Sequence, residues 1–82
     1  MTFRTETIDA PAFLAVAIFN GDESGFSDED SAAVESFYDI VENAYGVGAQ
    51  ITDVSEETFF GRWFGGDGLG HDMATYTILI RE

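Results

Sequence analysis

The chain has 82 residues, enough for one domain, so we interpret residues 1–82 as a single domain. Sixteen acidic residues against three Arg and no Lys give a formal net charge of −13, which disfavours direct contact with nucleic acid or with an anionic membrane. The absence of Cys excludes disulfides and thiolate metal sites, and an aromatic content of 15% argues against a disordered acidic tail. With no apolar run of about 20 residues and no secretory signal pattern, we expect a cytoplasmic protein.

The first third of the chain predicts a strand and then a short helix. Residues 1–7 alternate loosely and are rich in β-formers, which favours a strand. Asp9 is a candidate helix cap and Pro11 suits a first helical turn, so residues 12–19 are predicted to be helical. Asn20-Gly21 is typical of a helix end, although the apolar run before it also fits a buried strand.

The second helix has clear signals at both ends. Ser27 followed by Asp30 fits a helix cap with an acid at the third helical position, and Gly46 is a typical stop. We therefore expect a helix from about Asp28 to about Tyr45. Its apolar residues recur at helical spacing: Ala33, Val34, Phe37, Val41, Ala44 and Tyr45.

Three strands are predicted after this helix, at residues 49–54, 57–64 and 73–81. Residues 65–72 contain four Gly and predict a loop between the last two strands. The element order is then β-α-α-β-β-β. This order predicts an α+β fold in which an antiparallel sheet of about four strands packs against two helices.

The second helix carries a row of acids on one side. Asp28, Glu35, Asp39 and Glu42 share the face opposite Phe37 and Val41, at spacings of seven, four and three residues. Carboxylates on successive turns resemble the phosphates of a nucleic-acid strand, so a protein that holds phosphates with Lys and Arg is a candidate partner. Four further acids would extend this predicted partner-binding site: Asp22, Glu23, Glu29 and Asp30. The alternative is an ordinary solvated helix face.

The segment from Asn20 to Ser31 partly matches a calcium-binding loop. Asp22, Ser24 and Asp28 fall at ligand positions 3, 5 and 9, and Gly25 falls at the sharp turn. However, Ser31 replaces the bidentate Glu of position 12, and Asn20 replaces the first Asp. We therefore predict no metal ligand, and a weak calcium-binding helix-loop-helix stays an alternative.

No residue set in the sequence predicts catalysis. His71 beside Asp72 is the one candidate acid–base pair, and neither a nucleophile elbow nor a zinc His pair accompanies it. The Gly66-x-Gly68-x-Gly70 pattern is not a dinucleotide motif, because a strand rather than a helix follows it. We expect a protein that is not an enzyme, with no catalytic residue and no cofactor.

The aromatic run from Phe59 to Phe64 offers a second contact surface. In a strand, Phe60 and Phe64 share one face with Arg62, while Phe59 and Trp63 lie on the other. One face is expected to pack on the helices. The other is covered by a loop or meets a partner, which makes a homodimer through this strand one of the expectations.

The run from Asn20 to Asp30, the acidic helix, Phe59-Phe60 and Gly68-Leu69-Gly70 together resemble small uncharacterised proteins of phages and mobile elements. In size and charge the chain also resembles anti-CRISPR and anti-restriction inhibitors, some of which mimic DNA. The resemblance implies an inhibitor that binds a basic, nucleic-acid-binding host defence complex. The alternative hypothesis is a structural protein of a salt-loving host, in which acids and scarce Lys are a general surface adaptation.

Overall fold

The last strand of the chain is the centre of the sheet, because it pairs with other strands along both of its edges. A computed structural model describes residues 2–81 and has two helices and a four-stranded antiparallel open sheet, which confirms the predicted α+β class. The elements are β1 Phe3–Pro11, α1 Leu14–Asn20, α2 Asp28–Tyr45, β2 Gln50–Val54, β3 Phe59–Arg62 and β4 Gly70–Arg81.

The strand β4 lies in the centre of the sheet. The whole of β1 pairs with it along one edge, from Phe3 opposite Arg81 to Pro11 opposite Met73. The other edge of β4 is shared by two short strands, with β2 pairing near Ile78 and β3 pairing between Gly70 and Met73. Every pairing is antiparallel.

The core lies between one face of the sheet and the helices. Alternate residues of β4 are buried there, namely Ala74, Tyr76, Ile78 and Ile80. From α2, Val34, Phe37 and Val41 meet this face, and the rings of Phe37 and Tyr76 lie 4.9 Å apart. The opposite face carries Thr75 and Thr77 in β4, which is the polar surface expected of an antiparallel sheet covered on one side.

The predicted start of the first helix was wrong, because strand pairing continues further than expected. Asp9 and Pro11 belong to β1, and the carboxylate of Asp9 accepts a hydrogen bond from the Thr75 hydroxyl instead of capping a helix. The backbone N–H of Ala12 still bonds to Asp72 O, so α1 begins only at Leu14. Pro11 is tolerated because β1 is an edge strand. Met1 of the predicted strand lies outside the described residues.

Both helices end at the predicted glycines, and α2 also begins at its predicted cap. Gly21 takes a left-handed conformation with φ +67° and closes α1, so the run before it is helical rather than extended. Ser27 caps α2 by accepting a hydrogen bond from the Asp30 N–H, and the Asp30 carboxylate accepts one from the Ser27 N–H, both at 3.2 Å. Neither helix, among residues 2–81, is both long enough and apolar enough to span a membrane.

The third predicted strand is shorter than its pattern indicated. Glu57 lies before β3, and the strand ends at Arg62 because the chain turns at Trp63, whose carbonyl oxygen accepts hydrogen bonds from the N–H groups of Gly66 and Gly68. The Gly-rich segment is also shorter than predicted, since Gly70 and its successors already belong to β4.

Candidate interaction surfaces

The helix α2 presents its predicted acidic row to solvent. Asp28, Glu35, Asp39 and Glu42 are all exposed, on the side of the helix away from Phe37. At 1.5 Å per residue the row extends about 21 Å along the helix axis. Successive charges are therefore about 5–10 Å apart along the axis, compared with about 3.4 Å in one DNA strand. The row alone has a lower charge density than a DNA strand. Acids next to the row are therefore relevant, because they raise this density.

The four additional acids cluster around the N-terminus of α2, but two of them also have structural roles. Asp22 Oδ1 accepts a hydrogen bond from the Ser24 N–H at 3.0 Å, and this bond lowers the pKa of the Asp22 carboxyl. Asp30 is half-buried and completes the cap with Ser27. Glu23 and Glu29 are exposed. Glu29 and Glu23 are therefore the acids most available to extend the row.

The acidic row has no cationic neighbour within the described part of the chain. The ion pairs found there join Arg4 to Glu6 at 2.8 Å and His71 to Asp67 at 2.7 Å, and neither involves any of the eight predicted site residues. The other two guanidinium groups lie over aromatic rings, Arg62 over Phe64 and Arg81 over Phe3. The carboxylates of the row can therefore accept hydrogen bonds from Lys or Arg of another molecule.

The loop before α2 does not gather a calcium-type ligand set. Between residues 2 and 81 no three His, Asp or Glu side chains come together in a way that could hold a metal ion. Asp22 turns back onto Ser24, while Asp30 turns back onto Ser27. Asp22 therefore fixes the backbone of the loop, and Asp30 fixes the start of α2.

His71 contacts a different acid from the one next to it in sequence. Its Nε2 lies 2.7 Å from Oδ2 of Asp67, whereas Asp72 is the neighbour that the sequence suggested. The imidazole lies against Phe13 and Trp63, with ring centroids 6.0 and 6.3 Å away. Sequence reasoning missed this pair, although Asp67 and His71 are separated by only four residues across a Gly-rich turn.

Exposed apolar side chains around β3 and the turn after it are a second feature, and we call Phe59, Phe60, Phe64 and Leu69 together the aromatic surface. Their side chains are 46%, 78%, 83% and 62% exposed. Because Phe59 and Phe60 are consecutive in β3, their rings lie on opposite faces of the sheet. Trp63 is buried, whereas Phe59, which was expected on the same face, is exposed. The alternation predicted through Phe64 does not apply, because β3 ends at Arg62. A groove of about 410 Å³ lies beside this surface; its apolar walls come from Ile8, Ile40, Phe59, Trp63, Phe64 and Met73.

Comparisons with protein-family models, with curated proteins and with solved structures each gave no match to this chain. The acidic row and the aromatic surface are therefore interpreted from their own chemistry.

Proposed function

We propose that this protein is a non-enzymatic interaction protein that binds a basic, nucleic-acid-binding surface of another protein. The observation that carries the proposal is the acidic row of α2, whose exposed carboxylates from Asp28 to Glu42 have no cationic partner among residues 2–81. Like charges at Glu35 and Asp39 destabilise a helix by about 0.2–0.5 kcal/mol. A basic partner removes that repulsion when it binds.

The partner is expected to present Lys and Arg along a groove that normally holds a phosphate backbone. The acids at the N-terminal end of α2, above all Glu23 and Glu29, bring the charge density of the row closer to that of a DNA strand. The likeness in size and charge to anti-CRISPR and anti-restriction inhibitors puts cytoplasmic host defence complexes of this kind first among the targets to test.

The test is capture of partners from a bacterial lysate at low salt, followed by elution with double-stranded DNA. The variant Glu35→Gln with Asp39→Asn removes two charges from the row, and Glu56→Gln with Glu57→Gln removes two exposed charges elsewhere. At about 0.2–1 kcal/mol for each exposed ion pair, the first variant should bind about 2- to 30-fold more weakly. The second should bind nearly as the native protein does.

Two outcomes would contradict the proposal. If the two double variants bind a captured partner equally, total charge rather than the row decides binding. If DNA does not compete with the captured partner, the row does not occupy a nucleic-acid site.

A structural role in a salt-loving host is the second candidate. It is favoured by the wide distribution of the acids, because Glu6, Asp53, Glu56 and Asp72 lie far from the row in sequence. Circular dichroism as a function of NaCl concentration distinguishes the two functions. A chain adapted to salt loses helix signal as salt is lowered towards about 0.1 M, where the Debye length is about 10 Å. A mimic from an ordinary host keeps its helix signal there.

A further inference from the structure

We infer that the open edge of β1 is a self-association site, at which the β1 strands of two copies of this chain pair antiparallel and join the two sheets. The site lies on a different element from the acidic row of α2, so the inference does not depend on the proposed function. It rests on three properties of β1: the direction of its main-chain groups, its exposure and the order of its charges.

The strand β1 pairs with another strand along only one of its edges. Among residues 2–81 its one partner is β4, and the register runs without a bulge from Phe3 to Pro11. A regular edge strand of nine residues presents a row of main-chain groups to which another extended strand can bond. Pro11 has no N–H, but it stands at the last position of β1 and interrupts no other position.

The main-chain groups that point to the open edge follow from the pairing with β4. The Ala12 N–H donates to Asp72 O at 2.8 Å, just beyond the end of β1. Hydrogen-bonded pairs alternate with non-hydrogen-bonded pairs in an antiparallel ladder, so the main-chain groups of residues 4, 6, 8 and 10 face β4. The N–H and C=O groups of Phe3, Thr5 and Thr7 therefore point away from β4.

The first part of β1 is the part that is open to solvent. Residues 3–7 are exposed apart from Glu6, which is half-buried. The buried residues of β1 are Ala10 and Pro11, at its other end, next to the segment that leads into α1. A second strand can therefore lie beside residues 3–7 without displacing any part of the buried core.

The charges of β1 identify a second copy as the strand that fits this edge. Arg4 and Glu6 share one face of the strand, and Arg4 Nη1 lies 2.8 Å from Glu6 Oε1. If two β1 strands run antiparallel with Thr5 opposite Thr5, each Arg4 lies opposite the Glu6 of the other copy. On the other face, each Phe3 then lies opposite a Thr7. Opposite charges and aromatic–β-branched pairs both stabilise neighbouring strands.

Other two-fold registers lose this match. An axis at Arg4 or at Glu6 would place two like charges directly opposite each other, which destabilises a pair of strands. An axis at Thr7 would place Glu6 opposite Ile8, so that no pair of opposite charges forms. The axis at Thr5 is therefore the one that the charges favour, and it makes the edge self-complementary, as a two-fold interface requires.

The experiment is sedimentation equilibrium of the full chain up to about 1 mM, which detects even a weak dimer. Amide hydrogen exchange is measured over the same concentrations. The N–H groups of Thr5 and Thr7 should become protected as the dimer forms. The N–H groups of Arg4 and Glu6 already face β4 in one copy, so their protection should change little.

Exchanging the charges of Arg4 and Glu6 tests the register. Arg4→Glu places two carboxylates opposite each other on both sides of the axis, and it should weaken the dimer at least about fivefold. The double variant Arg4→Glu with Glu6→Arg restores opposite charges in this register and should dimerise nearly as the native chain does. Arg62→Glu is the matched control, because it makes the same change of net charge at an exposed position of β3. It should leave the dimer nearly unchanged.

The variant Thr5→Pro tests the main-chain pairing. It removes an N–H at the centre of the proposed interface, and this N–H points away from β4, so no hydrogen bond within the sheet of one copy is lost. The variant should be monomeric. Circular dichroism establishes that this variant and the charge variants fold.

A native chain that stays monomeric up to about 1 mM would overturn the inference. So would a dimer that Arg4→Glu and Arg62→Glu weaken equally, or a dimer in which Thr5 and Thr7 gain no protection. A monomeric chain that still binds a basic partner would leave the proposed function standing. A dimer that captures no basic partner would contradict the proposed function and leave this inference standing.

Discussion

Asp67 and His71 are joined by a 2.7 Å contact, Oδ2 to Nε2, across the turn between β3 and β4. The other oxygen of Asp67 accepts a hydrogen bond from the Leu69 N–H at 2.9 Å, so one carboxylate fixes the turn at two points. Because the imidazole also lies against Phe13, the turn is connected to the segment that precedes α1. The turn carries Leu69, and the Asp67 carboxylate therefore helps to hold this exposed residue in place.

The pKa of Asp67 is lowered, first by the hydrogen bond from the Leu69 N–H and then by His71. A carboxyl with a lower pKa in the folded chain adds stability above the unfolded pKa of about 3.9, and this stability is lost as the pH falls through the folded value. We expect NMR titration to give Asp67 a lower midpoint in the folded than in the unfolded chain. His71→Gln should retain most of the lowering, because Leu69 is the larger cause. A native midpoint at or above the unfolded value would contradict this prediction.

Tyr76 predicts a loss of stability at alkaline pH. Its buried hydroxyl donates a 2.7 Å hydrogen bond to the Pro11 carbonyl oxygen, and burial raises the pKa of Tyr76 to about 12. The folded chain therefore holds this proton more tightly than the unfolded chain, so stability is full below pH about 10 and falls as the pH rises towards 12. Urea denaturation from pH 8 to about 11.5 should show this decline.

Tyr76→Phe should remove the alkaline decline and should also lower stability at neutral pH. The substitution leaves the Pro11 carbonyl without its buried partner, at a cost of about 1–3 kcal/mol. Tyr38→Phe is the control, since Tyr38 is exposed on α2 and should change neither quantity. If the Tyr76→Phe variant still loses stability at alkaline pH, another titrating group causes the loss.

The sequence predicts those parts of the fold that local signals decide. Ser27 and Asp30 determine where α2 begins, and the apolar spacing from Val34 to Val41 determines which face is buried. These signals act within one or two turns of helix. The acidic face opposite them follows from the same periodicity, so the exposure of Glu35 and Asp39 was predictable too.

One part that the sequence did not predict depends on pairing between distant segments. Asp9 and Pro11 carry a helix-start pattern, but hydrogen bonding to β4 extends the strand through them. Long-range pairing overrides local propensity there, and no single-residue signal reveals it in advance. The early turn at Trp63 is local instead: it depends on hydrogen bonds from Gly66 and Gly68, which a strand pattern does not include.

The capping box of α2 gives a stability prediction. Ser27→Ala removes the acceptor of the Asp30 N–H and should lower the free energy of unfolding by about 1 kcal/mol. Ser36→Ala is a suitable control, because Ser36 is exposed within α2 and caps nothing in the described structure. Urea denaturation at pH 7 measures both changes, and equal stabilities for the two variants would rule out the contribution of the cap.

Gly66 and Gly68, in the turn after Trp63, are needed for different physical reasons. A Cβ on Gly66 would lie 2.3 Å from the Trp63 ring, so Gly66→Ala must displace the indole or the turn. Gly68 has open space but φ +73°, so Gly68→Ala strains the backbone by about 1–2 kcal/mol. We expect both variants to be less stable. Only Gly66→Ala should shift the Trp63 emission of the folded protein.

Gly48→Ala is the control for both variants, since Gly48 has neither a close neighbour nor a positive φ. It should leave stability and emission nearly unchanged. If Gly68→Ala shifts the emission as much as Gly66→Ala does, the turn moves as one unit with the indole. Both substitutions would then alter the groove that Trp63 helps to line.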